Sequence, residues 1–398
     1  MKRLRVLFLS QRVPYPPTRG DKIITWRMVQ RLHANHDLTC LAFAHDEDDR
    51  QGAKELERLG IQIVTVPYER FMGVLKSGWA LVTGHPLTTS LLGSSRIRAE
   101  VASRAAETDL MVAFSSSMGA YLLPYAGVPR VLHFCELDSD KWRQYAQRSR
   151  WPMRWVYARE ARTLLNLEHV LARAMSANIV CTPLERAVFT ANLSGLPCAV
   201  MRNGIDLEYF SPEGLAPEPG HIVFTGVMNY LPNVDGCIWF ATDVLPRIAE
   251  AHPNAMFTIV GANPSRAVLK LAANPRVLVT GRVPDTRPFL RRASVCVAPL
   301  RIARGIQNKV LEGLAMGLPV VGTTPATQGV GGTDGRDYLV ADDPDRLAAT
   351  IGNLLTHESE RAALGRRGRA FVEQNYSWAQ SLDLFDELIR QATDQHEH

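Results

Sequence analysis

The sequence predicts an α/β protein made of two doubly wound domains that face each other across a cleft. Two observations carry this. Short apolar runs of strand length alternate with helix-patterned stretches along the whole chain, the arrangement that yields parallel sheets with crossover helices. The runs also form two similar sets, divided by the Gly- and Pro-bearing stretch 195–219, which reads as a domain boundary. A chain of 398 residues suits two or three domains at about 150 residues each.

In the first set the expected strands are 6–9, 38–44, 62–66, 110–114, 131–134 and 178–181. The loop after the first strand, SQRVPYPPTRGD (10–21), leads into a helix carrying Ile24, Met28, Val29 and Leu32. Ligands of open α/β sheets bind beyond the carboxyl ends of strands, so this loop is expected to line the cleft. Gly20 would let the backbone approach a phosphate or an acceptor, with Arg19 and Lys22 as nearby cations. The equal alternative is that the prolines simply stiffen the connection. No complete G-x-G-x-x-G occurs here, which argues against a nicotinamide dehydrogenase. His133 ends the 131–134 strand, where it is either a satisfied core histidine or a residue facing the cleft. Asp138-Ser139-Asp140 follows; such carboxylates can hold a hard cation, but a surface or acceptor-side role is the preferred expectation. Lys141 and Trp142 beside them could shape an acceptor or membrane-facing surface. Residues 155–173 have the length and spacing of an amphipathic helix.

In the second set the expected strands are 222–224, 257–260, 277–279, 295–298, 320–322 and 338–340. The first is followed by a Gly–polar loop containing Gly226 and Asn229, and Gly261 after the second reads as a close-approach turn. The most informative stretch is 301–321, RIARGIQNKVLEGLAMGLPVV. It reads as a strand end, a Gly-containing loop, a short helix with Val310, Leu311, Leu314 and Ala315 at helical spacing, and a stop at Gly317 and Pro319. Arg304 and Lys309 sit before and at the helix start, where the macrodipole disfavours cations. Cations gathered around free N–H groups point to an anion, most simply a phosphate. Glu312 follows Lys309 by three residues and shares its face. A solvated surface ion pair is the bland alternative.

Composition narrows the function. With 46% hydrophobic and 21% charged residues the chain is an ordinary globular protein. A net charge of +5 permits attraction to an anionic membrane or to phosphorylated substrates, but without the basic blocks of a nucleic-acid binder. The six cysteines are scattered with no C-x-x-C pair, as expected for buried thiols in a reducing compartment. The apolar run 6–9 is too short for a signal peptide, and no stretch approaches a membrane span of about 20 residues. The expected location is cytoplasmic, with peripheral attachment to the inner membrane face left open.

LEGLAMGLPVV, with Glu312 as its carboxylate, resembles the nucleotide-sugar motif of the two-domain retaining glycosyltransferases, glycosyltransferase family 4 in particular. RNGIDLEYFSP (202–212) is similar to that family's junction before the second domain, and Tyr376-Ser377-Trp378 to the element that begins its last helix. The resemblance spans nearly the whole chain and implies a GT-B fold. It places an acceptor-side domain at 1–200, a nucleotide-sugar domain at 201–375, and a helix, 376–398, packing back on the first. Glu312 matches the second of the family's two Glu residues, and at the position of the first, eight residues earlier, this chain has Arg304. The RGIQNKVLE version resembles the branch associated with PEP-CTERM/exosortase exopolysaccharide systems.

What the resemblance implies is sugar transfer from a nucleotide-diphosphate donor to a glycan or lipid-linked acceptor. Relatives place a His beside the donor sugar where His133 stands. Many put an Arg and a Lys on the diphosphate at the Gly226–Asn229 loop; here Arg282, Arg304 and Lys309 would replace them. Arg304, Lys309 and the N–H groups of Gly305, Ile306 and Gln307 would stabilise the leaving diphosphate, and Glu312 would bind ribose hydroxyls. No metal and no cofactor is expected, the two-domain pattern pointing to metal-independent donors. No nucleic-acid partner is expected. Two rival expectations stand: a nucleotide-sugar 2-epimerase, and a non-catalytic nucleotide-sugar-binding protein.

Overall fold

The computed structural model describes residues 3–69, 83–213, 217–303 and 305–396. The chain divides into two compact units: Met1–Asn203 together with Ala379–His398, and Gly204–Trp378. Each has a parallel sheet wound by helices, the doubly wound architecture that the alternating pattern predicts.

The first sheet has strands β1 (Arg5–Ser10), β2 (Asp37–Ala44), β3 (Gln62–Pro67), β4 (Leu110–Phe114), β5 (Arg130–Cys135), β6 (Ala177–Val180) and β7 (Ala199–Val200), in the order 3-2-1-4-5-6-7. Every pair is parallel, with Val6 beside both Leu38 and Leu110. Helices cover both faces of such a sheet, so its central strands must be apolar throughout. All five residues of β4 are buried, as are five of the six in β1. The two-residue β7 was not expected, being too short to show a pattern. The helix expected at 155–173 runs Met153–Ala174.

The second sheet has β8 (His221–Thr225), β9 (Met256–Val260), β10 (Val277–Gly281), β11 (Val295–Ala298), β12 (Val320–Gly322) and β13 (Leu339–Val340), ordered 10-9-8-11-12-13. Strand order therefore reverses at β1/β4 in one sheet and at β8/β11 in the other. At such switch points the connections leave in opposite directions and open a crevice beyond the strand ends.

The RNGID junction has a packing reason. Ile205 N–H donates to the Tyr376 carbonyl at 2.9 Å, and a Cβ at Gly204 would lie 2.6 Å from the Trp378 ring. Only glycine lets the backbone run this close to the indole. The final helix, Trp378–Asp394, joins the first unit through Phe385 and Ile389 in the core and Arg31 bonded to Asp383 and Asp386, each at 2.7 Å. Cys40, Cys181, Cys237 and Cys296 are buried free thiols. Among the described residues, no helix is long and apolar enough to cross a membrane.

Candidate functional site

The second unit assembles its polar groups at the β8/β11 switch point. Helix Asn308–Ala315 follows β11 and buries Val310, Leu311, Leu314 and Ala315, the apolar face that its sequence spacing predicts. Gly313 lets it close on the sheet, since a Cβ there would lie 2.8 Å from Cys296 Sγ. This packing fixes which way Lys309 and Glu312 project. Thr225, the last residue of β8, donates its hydroxyl to Glu312 Oε2 at 3.3 Å. Lys309 Nζ lies 3.2 Å from Gln307 Oε1 and 5.8 Å from the Phe224 ring centroid.

Lys309 and Glu312 are half-buried at the residue level, and their charged ends lie in a low-dielectric setting. Burial lowers the Lys309 ammonium from its ordinary value, with the Glu312 charge opposing. Burial raises the Glu312 carboxyl, against the pull of Lys309 and the Thr225 hydroxyl. Each charge offsets part of the other's burial cost. Neither side chain is solvated as a surface pair would be.

The helix N-terminus is open. Gln307 is its N-cap with extended backbone and makes no side-chain cap bond; Val310 N–H closes the first turn on the Gln307 carbonyl at 2.9 Å, which leaves the Asn308 and Lys309 N–H groups without intrahelical acceptors. Gly305 holds φ +66°, a conformation that favours glycine, with open space where a Cβ would stand. Ile306 is partly buried and packs on the core. Arg304 lies outside the described residues.

Three glycines shape the neighbouring strand ends. Gly226 N–H donates to the Val260 carbonyl at 3.0 Å, and Gly261 N–H to the Gly281 carbonyl at 3.3 Å. A Cβ on Gly261, at φ +154°, would lie 1.6 Å from the Gly226 carbonyl oxygen. Backbone touches backbone here, so Gly261 has a structural reason to be glycine. Asn233 fixes the loop after Gly226, donating to the Val227 carbonyl at 2.9 Å, while its Oδ1 is buried without a partner. Asn229 on that loop and Arg282 after Gly281 are exposed. Thr225 and Asn233 are the residues that sequence reasoning missed as supports. The strand-end position of Thr225 was a usable signal; Asn233 gave none.

In the first unit, His133 is the fourth of six residues of β5, which runs on to Cys135, and it has no exposed surface. Its Nδ1 accepts the Cys135 N–H at 2.9 Å, so the neutral ring carries its proton on Nε2. That Nε2 is buried with no partner. Burial pushes the His133 pKa down to about 3, and the ring tilts against Phe114 at 5.1 Å. The neutral ring can donate a hydrogen bond, whereas imidazolium is strongly disfavoured. The first loop is tied to the β1/β4 switch point by Gln11, whose amide donates to Ser117 Oγ at 2.7 Å.

Two expectations change. Lys22 does not face a ligand: it is 4% exposed, and its Nζ pairs with fully buried Asp49 at 2.7 Å. An ammonium in the interior needs a carboxylate more than it needs a surface. Arg19 pairs locally with Asp21 at 3.2 Å, and Gly20 opens the helix Gly20–Asn35, exposed. The acids at 138–140 are not simply on the surface either. Asp140 is buried, bonded to Arg143 and to Gln144 at 2.9 Å. Ser139 is held through both N–H and hydroxyl by Glu168, whose carboxyl burial lifts to about 8.

Residues 219–357 match the family described as Glycosyl transferases group 1, a stretch inside the second unit, Gly204–Trp378. A GDP-mannose-dependent monoacylated alpha-(1-6)-phosphatidylinositol monomannoside mannosyltransferase of Corynebacterium glutamicum is 30% identical over 146 residues, 34% of this chain. The match spans 38% of that relative's length. Among solved structures, Anabaena HepE in complex with UDP superposes with a TM-score of 0.70 at 15% identity, covering 97% of this chain and 100% of that one. Sucrose-phosphate synthase from Thermosynechococcus elongatus gives 0.71 at 17%, covering 98% and 99%. The second domain thus matches the glycosyl transferases group 1, on a chain whose two α/β domains share the GT-B fold of HepE and sucrose-phosphate synthase.

Proposed function

We propose that the chain transfers a sugar, with retention of configuration, from a nucleotide-diphosphate donor to a glycan or lipid-linked acceptor. The observation that carries this is the placing of Lys309 and Glu312 on one helix at the β8/β11 switch point, with Glu312 bonded to Thr225 at the end of β8. It offers a cation and open N–H groups to a diphosphate, and a carboxylate to sugar hydroxyls, on one turn of helix. Lys309 and the N–H groups of Gly305, Ile306 and Gln307 stabilise charge on the leaving diphosphate, with Arg304 and Arg282 as added cations. Glu312 binds the ribose. Gly226 and Asn229 shape the donor loop, and Arg19 and Gly20 border the acceptor; His133, with no exposed surface, is assigned no contact with the donor. The chemistry needs no metal and no cofactor beyond the donor.

Support comes from the group 1 match over the second domain and from HepE, solved with UDP and with UDP-glucose. The relative named as acting on a phosphatidylinositol mannoside favours a lipid-linked acceptor. The RGIQNKVLE pattern favours a role in exopolysaccharide assembly of the PEP-CTERM/exosortase type, on the cytoplasmic side.

A thermal-shift screen against nucleotides and nucleotide sugars tests the reading, since a ligand binding only the folded state raises its stability by RT ln(1 + [L]/Kd). One nucleoside diphosphate and its sugar should raise the melting temperature, with or without chelator, and the sugar should then be transferred to an added acceptor. A donor converted to its epimer without acceptor, or bound and never turned over, would replace this reading.

A further inference from the structure

The turn between helices Asp138–Arg148 and Met153–Ala174 has a composition that folding alone does not explain. Trp151 is 84% exposed and Trp155 57%, with Met153 at 44% between them. Arg150 and Arg154 are exposed beside them and have no ion-pair or side-chain hydrogen-bond partner among the described residues. From 141 to 158 the sequence holds Lys141, Arg143, Arg148, Arg150 and Arg154 and no acid.

The geometry groups these side chains. Arg154 N–H donates to the Arg150 carbonyl at 3.0 Å, and Val156 N–H to the Pro152 carbonyl at 3.3 Å, so the turn is hydrogen-bonded onto the first residues of the helix that begins at Met153. The six residues 150–155 thus carry two exposed indoles, Trp151 and Trp155, each next in sequence to an exposed arginine, Arg150 and Arg154. Beneath the tip, Trp142, Tyr145 and Tyr157 pack ring on ring, with centroids 5.2, 5.7 and 6.1 Å apart. The tip is braced, and its largest apolar side chains still point to water.

We propose that this turn is a docking surface for an anionic lipid bilayer. Indole rings settle at the headgroup level, with an apolar body and a polar N–H, while flanking arginines meet lipid phosphates. Two copies of the tip would bring cation against cation, which disfavours self-association. Two unpaired arginines in a chain lacking basic blocks are too few for a nucleic-acid track. The proposal stands independently of the sugar-transfer reading.

Co-sedimentation of the full chain with vesicles of phosphatidylcholine alone, or mixed with phosphatidylglycerol, tests it. Binding is expected only to the mixed vesicles, and weaker as salt rises. Arg150→Gln with Arg154→Gln should lower partitioning about 25-fold, at about fivefold per cation. Trp151→Ser with Trp155→Ser should abolish sedimentation while leaving the melting temperature and transfer to a water-soluble acceptor unchanged. Equal binding to both vesicle types, no vesicle binding, or undiminished binding by the Trp variant would overturn the proposal. Concentration-dependent dimerisation lost in the Trp variant, or binding to a single-stranded oligonucleotide in place of vesicles, would also overturn it.

Discussion

Replacing Lys309 with Met removes the charge and keeps the aliphatic stem against Phe224. If Lys309 faces the donor diphosphate, a unit charge about 4 Å away at an effective dielectric of about 20 contributes about 4 kcal/mol. Loss of one such stabiliser of a developing anion costs about 100- to 1,000-fold in rate, so kcat/KM should fall by at least that much. Stability should fall less, because the buried Glu312 can respond by taking up a proton. The pair nevertheless leaves a second signature. Without Lys309 nothing holds the Glu312 carboxyl down except the Thr225 hydroxyl, so Lys309→Met should lose about 1–3 kcal/mol at neutral pH. Lys309→Met/Glu312→Gln should regain most of that loss and none of the activity. Steady-state transfer at saturating acceptor and denaturant midpoints at pH 7 measure both. A folded Lys309→Met enzyme within tenfold of the parent would refute the reasoning, as would a double variant no more stable than the single one.

Three further outcomes follow from buried groups and backbone contacts. Glu168, held at about 8 in the fold against about 4.3 when unfolded, binds more protons folded than unfolded between those values. Its contribution to stability is thus present at low pH and lost as pH rises from about 4 to 8, by about 3–5 kcal/mol. Glu168→Gln should flatten that part of the stability profile; an unchanged profile would count against it. His133 works in the opposite direction. Its pKa of about 3 in the fold against about 6.5 unfolded means stability is full above about pH 6.5 and declines toward pH 3. Its imidazole signals should stay those of the neutral Nε2–H form at pH 5 by nitrogen NMR, and a midpoint near 6.5 would contradict this. Gly261→Ala must separate Gly226 from Gly261, because the new Cβ would sit 1.6 Å from a carbonyl oxygen. It should cost about 3 kcal/mol or more, while Gly305→Ala, strained in backbone but with open space around it, should cost about 1–2 kcal/mol; equal midpoints would deny the clasp.

The sequence by itself determined the two parallel sheets, because strands buried on both faces must be continuous apolar runs, and that signal is local. β1, β4, β8 and β11 could be read for this reason. It also determined where Lys309 and Glu312 stand on their helix, because three-residue spacing fixes a common face. Tertiary structure decided which polar groups meet. Thr225 finds Glu312 87 positions away, and Lys22 turns from a presumed ligand site into the interior because Asp49 waits there. Glu168 holds Ser139 across two helices, and Gly261 answers to the Gly226 carbonyl in the neighbouring strand-end loop. A buried charge is stabilised only by the partner that the fold brings to it, and no local pattern in the chain records which partner that is.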